Sequence, residues 1–290
     1  MARRFPTLSR SAVRADPAPA ASPWLRLAVR QGAALLLLAG IILVFRGPLA
    51  AIDLAAVGMA FGQIAPEGWL GALAATYLSF RALGRYDAAV HRLMRTGTGP
   101  EEAARAGAAA IAISQAMGAG LVTGALVRWR LSARLTPGQA ARVTAGVTGL
   151  FLLSWLVVAS GAVLLFAPRD GVLASPAAEV AAGVGLVAGV SGVLFLILAR
   201  APVILGRRIG PLPGPLMLGR LLALTLADTG AAGLALWFLL PPGLASDPAG
   251  AIAAYLVALG AALVLATPGG VGPFSRPSYF SPIRAPIRRR

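Results

Sequence analysis

Hydrophobic positions in this chain gather into long blocks and leave few amphipathic stripes. Apolar runs occupy residues 27–45, 68–83, 143–166, 180–198, 218–240 and 251–265, bounded by Arg, Pro, Gly or acidic residues. A helix rises about 1.5 Å per residue and a bilayer core is about 30 Å thick, so runs of this kind predict transmembrane helices. Residues 47–63 are less apolar and are broken by Pro48, Asp53, Gly58 and Gly62, a pattern that fits a helix lying on the external surface. The predicted fold class is an all-α, polytopic integral membrane protein with about six transmembrane helices plus one re-entrant, broken segment.

That segment is 103–131, which carries no charge between residues 106 and 127. Arg81, Arg85, Arg92, Arg95 and Arg105 precede it, and Arg128, Arg130, Arg134 and Arg142 follow. Positive loops stay on the cytoplasmic side, so two positive flanks do not fit a simple crossing. Gly118, Gly120 and Gly124 interrupt its middle, with polar Ser114, Gln115 and Thr123 among them. Glycine weakens a continuous helix there. The segment is expected to enter from the cytoplasm, break at the glycines and return. Irregular backbone at membrane depth is tolerated only beside protein or a wet cavity, and such breaks tend to sit at transport sites. With one re-entrant segment the charges agree on one topology: only Arg46 and Arg169 lie outside, and both ends of the chain are cytoplasmic.

Composition narrows the class. Of 290 residues, 58% are hydrophobic and 12% charged, about half the charge of a soluble domain, and mean hydropathy is +0.78. All 26 basic residues are arginine. With abundant Ala, Gly and Pro, this points to codon bias in a GC-rich bacterium and so to the bacterial inner membrane. The net charge of +16 is expected to set topology and meet anionic headgroups, with no nucleic-acid partner. The absence of cysteine excludes disulfides, thiol nucleophiles and cysteine-held metals, and the single histidine, His91, excludes multi-histidine metal clusters. No nucleotide loop, paired catalytic carboxylates or Ser/His/Asp set is visible, so no cofactor, metal or enzymatic activity is expected. Residues 1–24 read as a disordered basic cytoplasmic arm, 25–274 as the transmembrane domain and 275–290 as a basic cytoplasmic tail.

Several residues are candidates for chemistry. Asp228 falls in the middle of an apolar run, where a carboxylate costs a few kcal/mol unless it meets a partner or a cavity. It reads either as a headgroup-contacting or proton-linked site, or as a structural acid tied to Thr225 or Thr229. Arg128 and Arg130 flank Trp129 at the end of the re-entrant segment. Guanidinium forks suit phosphate, although snorkelling alone also explains arginine there. Asp87 follows Tyr86 among arginines and has Arg85, Arg128 or Arg130 as ion-pair partners, while His91 reads as solvated in a polar loop. Pro268, Gly269, Gly270 and Gly272 cannot hold a regular helix and read as a helix break. The pairs Gly58/Gly62, Gly120/Gly124 and Gly185/Gly189 predict close helix packing.

Taken together, Tyr86-Asp87, the block GLVTGALVRWRL at 120–131, Leu135-Thr136, Asp228 before its Leu-Leu-Pro exit, and Pro268-Gly269-Gly270-Val271-Gly272 resemble the transmembrane region of the lysyl-phosphatidylglycerol synthase/flippase family. The resemblance covers roughly residues 25–274, and the glycine–arginine block is its more specific part. It implies a flippase-type function: holding an anionic or aminoacylated phospholipid at Tyr86, Asp87, Arg128, Arg130 and Asp228 and moving it between leaflets. The cytoplasmic aminoacyl-transferase domain of full-length relatives is absent, so lipid aminoacylation is not implied. A non-transporting membrane subunit that supports a partner enzyme is the alternative, and the expected protein partners are such an enzyme or a second copy of the chain. One departure stands out: Ser275 replaces the glutamate that usually follows the Pro-Gly-Gly-x-Gly run, and a Pro/Arg tail replaces further apolar spans. That change reads as a truncation or frameshift after Phe274.

Overall fold

The computed structural model describes residues 61–117, 120–167, 172–198, 211–240 and 247–265, with short pieces at 58–59, 203–204 and 207–208. The expected span at 27–45, most of the surface helix at 47–63, Gly118, the Pro268–Gly272 break and both basic ends lie outside these residues. The chain divides into a unit of residues 1–52 and a unit of residues 53–290, and the second contains every described helix.

Seven α-helices make up nearly all of the described residues: α1 (Pro66–Leu93), α2 (Pro100–Met117), α3 (Gly120–Leu131), α4 (Pro137–Phe166), α5 (Pro176–Leu198), α6 (Pro215–Phe238) and α7 (Pro248–Leu265). A 3-10 turn at Val172–Ala174 precedes α5, and Val203–Ile204 pairs antiparallel with Arg207–Arg208 in a two-residue ladder. Six of these helices begin at proline, whose fixed φ and missing donor suit the first helical position. Side chains complete several starts. Thr136 and Gln139 form a reciprocal capping box on α4, Ser175 accepts from the Ala178 amide on α5, and Asp247 accepts from the amides of Ala249 and Gly250 on α7.

Three helices are long and apolar enough to cross a membrane: α4, α5 and α6, with mean hydropathies of 2.3, 2.4 and 1.6 over their best windows. They make the chain a helical, membrane-embedded protein. Helix α7 is as apolar but shorter. Helix α1 has length enough, yet its second half carries Arg81, Arg85, Asp87, His91 and Arg92.

Close backbone approach holds the bundle together, as expected where lipid removes the hydrophobic drive between helices. Helices α4 and α5 run antiparallel, and Gly185, Gly189 and Gly192 of α5 lie against Ser160 and Leu156, Val157, and Leu153 of α4. A Cβ at Gly189 would stand 2.7 Å from Val157 Cγ2. Helices α1 and α6 are also antiparallel: Gly68 and Gly71 meet Phe238 at one end, and Ser79 meets Asp228 midway. Helix α7 packs on both α6 and α4. Gly233 faces Ile252, Trp155 sits over Gly260, and Trp155 Nε1 donates to the Leu256 carbonyl at 3.2 Å. Tyr86, Val90, Val143, Val147 and Leu221 form the buried junction of α1, α4 and α6. In contrast to these, Gly58, Gly62 and Gly120 have no described residue within 4 Å of where a Cβ would stand.

The two ends of the bundle differ in charge. Where α1 and α3 finish and α2, α4 and α6 begin lie Arg92, Arg95, Arg130, Arg134, Arg142 and Arg220, which outnumber Glu101 and Glu102 at the start of α2. The opposite end, where α1, α5 and α7 begin, carries Glu67, Glu179 and Asp247, and among the described residues no arginine.

Candidate functional site

The segment singled out from its arginine flanks and glycines folds as two helices, α2 and α3, with the break between Met117 and Gly120. In a continuous helix, residues 114 and 124 would stand about 15 Å apart along the axis. Instead Ser114 Oγ donates to the Gly120 carbonyl at 3.3 Å, and lies 3.2 Å from where a Cβ on Gly124 would be. The segment therefore doubles back on itself. Helix α3 has 12 residues, about 18 Å, and falls short of a bilayer core.

The base of this hairpin is closed by a buried ionic cluster. Asp87 on α1 and Arg128 on α3 are 0% and 2% exposed. Arg128 Nε donates to Asp87 Oδ2 at 3.1 Å, and its Nη2 makes a second, shorter bond to the same oxygen. Its Nη1 donates to the Gly124 carbonyl at 3.3 Å and to Thr144 Oγ1 of α4 at 3.2 Å. One guanidinium thus ties α1, α3 and α4 together. His91, one turn beyond Asp87, places Nε2 3.3 Å from Asp87 Oδ1 and Nδ1 2.9 Å from Thr96 Oγ1. The cluster fits only because Gly107 of α2 has no side chain: a Cβ there would fall inside the Asp87 carboxylate.

These positions revise three expectations. His91 does not stand in a loop, since α1 runs on past the apolar run at 68–83 to Leu93 and buries Tyr86, Asp87 and His91. His91 is 2% exposed, with Nε2 3.3 Å from Asp87 Oδ1, where a solvated histidine was expected; the helix continues through Gly84 because no proline stands in 84–93. Asp87 pairs with Arg128, and neither Arg85 nor Arg130 shares it. Arg128 and Arg130 do not converge. Two residues apart on a helix they point about 200° apart, so Arg130 is exposed and its guanidinium stacks 4.9 Å over the Trp129 ring.

Asp228 forms a second polar centre, 6% exposed, at mid-length of α6. Its partner is on another helix: Ser79 Oγ of α1 donates to Asp228 Oδ1 at 2.6 Å. Thr229, expected as a tie, instead donates to the Thr225 carbonyl at 2.7 Å. Thr225 Oγ1 is buried without a hydrogen-bond partner, and Tyr255 of α7 lies in the neighbourhood of Asp228.

Ser79, Gly107 and Thr144 were missed from the sequence. For Ser79 a signal exists: Ala72, Ala75, Ser79, Ala82, Tyr86 and Val90 repeat at three- and four-residue spacing and are all buried. A polar member of such a stripe marks a partner across the interface. No protein-family model matches the chain, and no curated protein matches it. Among the described residues no three His, Cys, Asp or Glu side chains gather as metal ligands do.

Proposed function

We propose that the protein handles anionic or aminoacylated phospholipid in the bacterial inner membrane, moving it between leaflets, with the α2–α3 hairpin re-entering the membrane from the arginine-rich, cytoplasmic end. The observation that carries this reading is the hairpin itself: a broken segment whose second helix is too short to span, folded back on its first helix and tied at its base to α1 and α4. On this reading the chain has about six spans, counting α1, α7 and the apolar run at 27–45 with α4, α5 and α6. The charge contrast between the two ends supports the orientation.

The ionic cluster and the exposed arginine take different parts. Arg128 has its donors engaged by Asp87, Gly124 and Thr144 and fixes the hairpin base beside Tyr86. Arg130, on the exposed side with Trp129, is the group that meets a lipid phosphate, the amphipathic indole marking the headgroup level. No aminoacyl transfer or other chemistry is assigned to the chain.

The test is leaflet translocation of fluorescent phosphatidylglycerol in proteoliposomes of the full chain. Wild type should move the lipid, and R130Q should slow it about tenfold, the equivalent of one charge-assisted hydrogen bond. Failure of folded wild-type protein to move that lipid or its lysyl ester would overturn transport and favour the non-transporting subunit. Unchanged transport in R130Q would remove Arg130 from the lipid contact.

A further inference from the structure

Asp228 is the only acid beyond the first turn of the three helices long enough to span. Around it the α1–α6 interface is largely apolar, built from Ala72, Ala75, Ala235 and Phe238 on one side and from Tyr86, Val90 and Leu221 on the other. An ionised carboxylate at that depth costs a few kcal/mol without compensation. The compensation on hand is thin: one hydroxyl, Ser79, donates to Oδ1. One turn earlier on α6, Thr225 Oγ1 is fully buried and has no partner.

We propose that Ser79, Asp228 and Thr225 form a proton-binding site, and that the proton taken up there drives lipid movement. The site stands on its own geometry; the coupling rests on the lipid-handling function proposed above. In the reaction the Asp228 carboxylate gains one proton from water on one side of the membrane and becomes a neutral acid. The same proton later leaves to the other side, and no bond besides that O–H forms or breaks. Ser79 donates to the carboxylate, and Thr225, one turn earlier on α6, holds a buried hydroxyl with no hydrogen-bond partner in the structure, which a rotated acid proton would meet as an acceptor.

The charged and titratable surroundings are sparse. From α7 the site faces Tyr255, which carries hydrogen-bonding or electrostatic contacts of its own. On α1 the nearest such groups, Tyr77 and Arg81, are exposed on the other side of the helix, buried Tyr86 lies about two turns from Ser79, and Asp87 and His91 lie two to three turns away in the hairpin cluster; on α6 itself Arg220 is exposed, about two turns from Asp228. Helix α4 supplies only exposed Arg142 at its start. A hard metal cation calls for about six oxygens, more than these side chains provide. A proton needs one.

Infrared difference spectroscopy of the full chain in liposomes, read against D228N, isolates the carbonyl stretch of protonated Asp228. Wild type should show a protonated-acid band that disappears reversibly as pH is raised, and S79A should keep the band but shift its titration. If D228N fails to fold, the wild-type titration and its shift in S79A still decide. Absence of the band, or a band that ignores pH, would overturn the site, and a band moved by sodium at constant pH would reassign it to a cation. In the translocation assay an imposed pH gradient should accelerate lipid movement in wild type and not in D228N. A titrating band with gradient-independent lipid movement would remove the coupling, whereas a titrating band in a protein that moves no lipid would remove the lipid reading alone.

Discussion

Replacing Asp87 by Asn keeps its volume and removes the charge that faces Arg128. The guanidinium would remain 2% exposed, held only by the Gly124 carbonyl and the Thr144 hydroxyl. Removing one partner of a buried ion pair typically costs about 3–5 kcal/mol, because an uncompensated charge is left behind. The lower end applies here, since two acceptors stay and the side-chain amide oxygen introduced by D87N still accepts one bond. Removing the arginine in R128Q should cost a similar amount by orphaning Asp87, with His91 as its one remaining ionic neighbour. Neither penalty persists in the double variant, so D87N/R128Q should be less destabilised than the sum by about 2 kcal/mol or more. Unfolding from detergent micelles by increasing dodecyl sulfate, followed by tryptophan fluorescence, reads all four corners of this cycle. Trp129 neighbours Arg128, so the same signal reports on the hairpin. Single variants costing less than about 1 kcal/mol, the range of exposed pairs, would refute the claim that the pair is buried and closes the hairpin. Strict additivity would refute the direct contact.

Glycine substitutions around the same cluster should separate crowded positions from roomy ones. G107A should destabilise by about 1–3 kcal/mol, as overpacking does, because its Cβ would fall inside Asp87. G124A meets neighbours at 3.1–3.4 Å, and the helical gain of alanine, about 1 kcal/mol, should leave it near neutral in the same assay. For topology, single cysteines placed at Ala133 and Glu101 should be labelled from one side of intact vesicles and cysteines at Glu67 and Glu179 from the other. All four sites are exposed. Labelling of Ala133 and Glu101 from opposite sides would mean that the hairpin crosses.

The apolar blocks made the spans legible, but not their starts. The runs expected from residues 143, 180, 218 and 251 begin as helices at Pro137, Pro176, Pro215 and Pro248. Hydropathy senses only the lipid-facing part, whereas helix starts are set by proline and by caps such as Thr136 and Asp247, which are polar and lie before the apolar run. The hairpin was legible because it broke two independent rules at once, the charge rule at its flanks and helix continuity at its glycines. The ion pair was not. Asp87 had three arginines to choose from, and the choice was made by Gly107, which lets the carboxylate sink against α2, and by Thr144, which arrives from a helix further along the chain. Local sequence carries no record of which distant helix supplies the last ligand.

Helix α1 is where the two polar centres meet mechanically. Ser79 and Asp87 stand eight residues apart on it, about 12 Å, one bound to α6 and the other to the base of the hairpin. Between them lie Ala82, Leu83 and Tyr86, all buried and rigidly packed. Close-packed helices shift as bodies and do not stretch, so a change in the Ser79–Asp228 bond that displaces α1 must displace Asp87 with it. Arg128 would then carry that displacement into α3 and α4 together. If Asp228 takes up a proton as proposed, no separate relay is needed between it and the mouth of the hairpin, because α1 holds one residue of each centre.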